Sequence, residues 1–62
     1  MKKVIEILMK RDHLSKSEAT QILNDTMEEI SIAVSNGDYE LAEDIWYSDI
    51  GLEIDYLLLA LL

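Results

Sequence analysis

Thirteen carboxylates stand against five Lys and Arg in this 62-residue chain, and where they stand matters more than how many there are. The cations Lys2, Lys3, Lys10, Arg11 and Lys16 all precede Ser17; with Glu6 and Asp12 they leave the first sixteen residues at +3. From Ser17 onward there is no cation and there are eleven carboxylates, a charge of −11 in a chain whose net is −8. Asp25 lies three residues before Glu28 and four before Glu29, and Glu40 lies three before Glu43 and four before Asp44. On a helix surface each such like-charge pair costs a few tenths of a kcal/mol, and a field of one sign makes the folded state repel itself. Carboxylates at this spacing can ligate a cation, work as an acid–base pair, or present a row of negative charge to a basic partner.

The first two uses find little support. A chain this short can hardly enclose a pocket of several hundred Å³ around an acid–base pair on convex helices. His13 is the only imidazole and there is no Cys. Ser15, Ser17, Ser31, Ser35 and Ser48 have no His or Lys base at a readable spacing. No Gly-rich phosphate loop occurs. The stretch from Asp38 to Asp49 has the length of a calcium loop, but it lacks the glycine at the sixth position and carries Leu41-Ala42 and Ile45-Trp46 at helical spacing. The expectation is a non-enzyme with no catalytic residue, no metal site and no cofactor.

The elements that would position the carboxylates read as helices. Half the residues are apolar, Pro is absent, and Gly occurs only at 37 and 51, a composition that suits a small helical protein. Val4, Ile5, Leu8 and Met9 form one stripe of a helix from about Lys2 to Arg11. Ser15 to Glu18 is a capping box opening a second helix that runs to about Ser35, with Ala19, Ile22, Leu23, Thr26, Met27, Ile30, Ala33 and Val34 on its inner face. Gly37 suits the left-handed position that ends it, and Asp38 caps a third helix with Leu41, Ala42, Ile45 and Trp46 inward. Asp49-Ile50-Gly51 stops that helix. Asp55 is expected to cap a fourth, with Ile54 stapled to Leu59. These readings add up to an all-α fold, a small compact bundle of about four short helices in one domain over residues 1–62.

The last stretch, Tyr56 to Leu62, is apolar around nearly its whole circumference but much shorter than the roughly 20 residues that cross a bilayer. A body this small cannot cover every side of it, so Leu57, Leu58, Leu61 and Leu62 are expected to mediate self-association as a homodimer. At the other end Glu6 and Lys10-Arg11-Asp12 break the apolar run that a secretory signal needs, which points to the cytoplasm of the cell in which the protein acts. The net charge opposes direct nucleic-acid binding.

Leu8-Met9-Lys10-Arg11-Asp12, Leu14-Ser15 with Glu18-Ala19, Gly37-Asp38-Tyr39-Glu40 with Ala42-Glu43-Asp44-Ile45, and Gly51-Leu52-Glu53 with Asp55-Tyr56-Leu57 together resemble short acidic helical proteins of phages and mobile elements of Gram-positive bacteria. Where those proteins often carry Pro before the aspartate, this chain has Ile54. In size and charge the chain also resembles type II-A anti-CRISPR proteins, which block Cas9. The resemblance implies a phage-encoded protein-binding inhibitor of a host nucleic-acid-binding effector such as Cas9, acting as a DNA mimic through its carboxylates. The residues expected to bind that partner are Asp25, Glu28, Glu29, Glu40, Glu43 and Asp44, with Trp46 or Tyr47 as an apolar anchor if the ring is not core. The alternative is a homo-oligomeric structural or regulatory phage protein whose acidity serves only solubility.

Overall fold

Four helices account for most of the chain: α1 (Lys2–Asp12), α2 (Lys16–Ser35), α3 (Tyr39–Asp49) and α4 (Ile54–Leu61). The computed structural model describes the backbone of residues 2–61 and the side chains of residues 2–59. Among the described residues there is no strand, and the fold is a small all-α bundle.

Local chemistry sets each boundary. At the end of α1, His13 takes φ 55° and the Leu14 N–H donates to the Met9 carbonyl at 3.2 Å. This is the wide turn that satisfies a helix's last carbonyls, here built on a non-glycine residue. Ser15 caps α2 reciprocally: its Oγ accepts from the Glu18 N–H at 3.1 Å, and its own N–H donates to Glu18 Oε1 at 3.0 Å. At the other end Gly37 sits at φ 74°, its N–H donating to the Val34 carbonyl and that of Asp38 to the Ala33 carbonyl, both at 2.9 Å. Asp38 also opens α3, because its Oδ1 accepts from the Leu41 N–H at 3.1 Å. One residue thus closes α2 and starts α3, and so short a link folds the two helices back on each other.

α4 starts two residues earlier than expected. It begins at Ile54, which puts Asp55 in its first turn instead of at its cap. Ile54 packs against the core while Leu59 is exposed, so the staple between them is not the contact that fixes this helix. What holds its start is the Glu53 carbonyl, which accepts from the Tyr56 N–H at 3.0 Å and from Trp46 Nε1–H at 3.1 Å.

The core gathers Val4 and Leu8 of α1, Ala19, Leu23, Ile30 and Ala33 of α2, Ala42 and Trp46 of α3, then Ile50 and Leu57. The Trp46 ring is 0% exposed within this core, which also takes in the small side chains of Ala19, Ala33 and Ala42. α2 is central, with α3 packed along it, α1 against it and α4 against α3. Thr26 is the buried polar residue of the inner face, its Oγ1 donating to Asp49 Oδ2 on α3 at 3.3 Å. Ile22, Val34 and Leu41, expected inward, lie at the margins of their stripes and remain exposed. The reason is size: four short helices are too few to cover the edges of a wide apolar stripe, which stay wet.

A candidate protein-binding surface

The inward stripe of α2 turns Glu18, Asp25, Glu28 and Glu29 to solvent, and that of α3 does the same for Glu40, Glu43, Asp44 and Tyr47. The two sets do not merge into one groove. Asp25 borders a shallow hollow with Leu14, Glu18, Gln21 and Ile22 near the α1–α2 loop. Glu43 lines a different groove, of about 290 Å³, where Ile30 and Val34 of α2 meet Tyr39 and Ala42 of α3 and Ile54, Leu57 and Leu58 of α4. The α2–α3 hairpin therefore presents carboxylates on more than one side of a body that measures 33 × 21 × 18 Å.

Two expected surface residues belong to the interior. Trp46 is core, with its indole N–H already committed to Glu53, so it cannot anchor a partner. Leu57 is also buried, because it is the residue by which α4 closes over α3, and it is unavailable for self-association. Leu58, 58% exposed, and Tyr47 do face solvent. The Leu61 side chain and Leu62 lie outside the described residues.

Arg11 is the cation whose role sequence reasoning missed. Its Nη2 donates to the Ile50 carbonyl at 2.6 Å, while Nε and Nη2 hold the two oxygens of Asp12 at 3.0 and 2.9 Å. A guanidinium at the last carbonyls of α3 complements that helix's negative end and ties α1 to it. The signal was an Arg in the last turn of α1, but nothing in the neighbouring residues says which helix end it will meet. The Arg11 hydrogen bonds hold the Asp12 carboxyl below its ordinary range, and Asp12 in turn raises the guanidinium. Glu18 is lowered too, first by the Ser15 backbone N–H and then by its hydroxyl.

Arg11–Asp12 is the one salt bridge among the described residues, so none of the eleven carboxylates after Lys16 has a cationic side chain beside it. The described residues hold no group of three His, Asp or Glu side chains that could bind a metal ion. No described helix is long and apolar enough to cross a membrane. Lys2, Ile5, Glu6, Met9 and Lys16 line a further hollow. Compared with known protein families, with curated proteins and with solved structures, the chain matches none.

Proposed function

We propose that this chain is a small acidic protein-binding inhibitor, phage-encoded, that occupies the basic surface with which a host nucleic-acid-binding effector such as Cas9 holds a phosphate backbone. The observation that carries this reading is the uncompensated carboxylate surface on α2 and α3. Carboxylates three and four residues apart on a helix are about 5–6 Å from one another at Cβ, close enough for a row of Lys and Arg to engage several at once. Their cost to the folded chain is returned when the partner's cations arrive, and the same field speeds approach and excludes acidic competitors.

The test is capture of the protein by guide-loaded Cas9 at low and at physiological salt, with two amide variants: Asp25→Asn/Glu28→Gln/Glu29→Gln and Glu40→Gln/Glu43→Gln/Asp44→Asn. Capture that weakens with salt and is reduced by at least one variant supports the reading. No capture, or capture indifferent to salt and to both variants, sinks it.

A second reading, a homo-oligomeric structural or regulatory protein, draws on exposed Leu58 and Leu59. Against it stand Glu43 and Asp55 near the same leucines, since a second copy would bring like charges together. Light scattering distinguishes the two: a 7.1 kDa species at micromolar concentration rules the oligomer out.

A further inference from the structure

We infer that the groove between α2, α3 and α4 is the seat of a basic amphipathic helix of the partner protein. This rests on the reading that the chain binds a basic protein, and it names the segment taken and the place where it sits. Ala42 and Leu57 are the buried floor of the groove, while Val34, Tyr39 and Leu58 stand up around it, all exposed. At about 290 Å³ the groove is at the small end for enclosing a free ligand, but an open trough of this kind takes the apolar side chains that a helix projects at i, i+3 or i+4, and i+7.

Charge chooses among the helices that could enter. Glu43 lines the groove, Glu40 lies three residues before it on α3, and Asp55 lies three before Leu58 on α4. No lining residue is a cation, and every Lys and Arg of the chain precedes Ser17. An acidic helix or a nucleic acid is repelled here, and a second copy seated symmetrically would set Glu43 and Asp55 against their own equivalents. A helix with leucines on one face and Lys or Arg flanking them meets both the trough and its rim.

The probe is a synthetic amphipathic helix with leucine at heptad spacing and lysine on its remaining faces, compared with a peptide of the same charge in which serine replaces leucine. The leucine peptide should bind about tenfold tighter or better, with its largest amide shifts at Val34, Tyr39, Ala42 and Leu58. Val34→Ser/Leu58→Ser, both at exposed positions, should remove that preference while leaving helicity and Tm near wild type. Equal affinity for the two peptides, shifts centred on α1 or on the Leu14–Asp25 hollow, or a wild-type dimer that Leu58→Ser dissociates would each overturn the proposal. Leucine preference without Cas9 capture defeats the inhibitor reading and leaves the groove standing; salt-sensitive capture without leucine preference defeats only the groove.

Discussion

The two glycines have the same backbone angle and different neighbours, which makes them a controlled pair. Gly37 and Gly51 both sit at φ 74°. A Cβ on Gly37 would meet nothing within 4 Å, whereas one on Gly51 would stand 3.3 Å from Arg11 Nη1. Gly37→Ala should therefore cost only the left-handed penalty, about 1 kcal/mol. Gly51→Ala should cost that and also disturb the guanidinium that holds the end of α3. In an Arg11→Gln background the extra loss should vanish, so that the two alanine substitutions become equal by denaturant midpoint. An unchanged difference in that background would show that Arg11 is not its cause. Trp46 gives a second residue-scale test. Trp46→Ala removes a fully buried ring and should cost about 3–5 kcal/mol, enough to leave a protein of this size largely unfolded by circular dichroism.

At the scale of elements, caps and covering residues decide stability. Ser15→Ala removes the hydroxyl half of the α2 capping box, the bond from the Glu18 N–H to Ser15 Oγ, and leaves the backbone half. It should cost about 1 kcal/mol, read as a Tm lower by several degrees. The same box gives a pH signature. Glu18 and Asp12 have folded-state pKa values below their unfolded ones. Their contribution is therefore fully present above the unfolded value and is lost as pH falls through the folded one. Tm should decline below about pH 4.5, and Ser15→Ala should make that decline somewhat shallower because Glu18 loses the hydroxyl, the lesser of the two Ser15 groups that lower it, and keeps the backbone N–H. An identical slope in the variant would refute the assignment. For α4 the contrast lies between adjacent leucines. Leu57→Ala empties the contact that docks the helix and should cost about 2–3 kcal/mol, whereas Leu58→Ala at an exposed position should stay within about 0.5 kcal/mol.

For the whole molecule the governing quantity is its net charge of −8 relative to its size. Its longest dimension is 33 Å. At about 0.01 M salt the screening length is about 30 Å, so carboxylates repel across the whole body; at about 0.15 M it is about 8 Å, and they act only on near neighbours. Tm at neutral pH should rise between those two conditions. A Tm that stays constant or falls would mean that attractive pairs, such as Arg11–Asp12, outweigh the general repulsion.

The sequence by itself determined what is decided within four or five residues along the chain. Ser15 with Glu18, Gly37 and Asp38 each choose their local hydrogen bonds, and for that reason the number and type of helices, and their boundaries to within a residue, were legible. The exception is Asp55, whose position in the first turn of α4 follows from the Glu53 carbonyl being held by Trp46. The acidity of α2 and α3 was legible too, because apolar periodicity alone turns the other side outward. Tertiary structure decided which apolar residues are covered. Periodicity cannot separate Trp46 and Leu57 from Val34 and Leu41, since all lie on or beside inward stripes and burial depends on whether another helix reaches that edge. It also decided that Arg11 crosses to Ile50, thirty-nine residues away, and that the carboxylates of α2 and α3 border separate hollows. Both follow from how the helices pack, a property of pairs of elements that no local run of residues encodes.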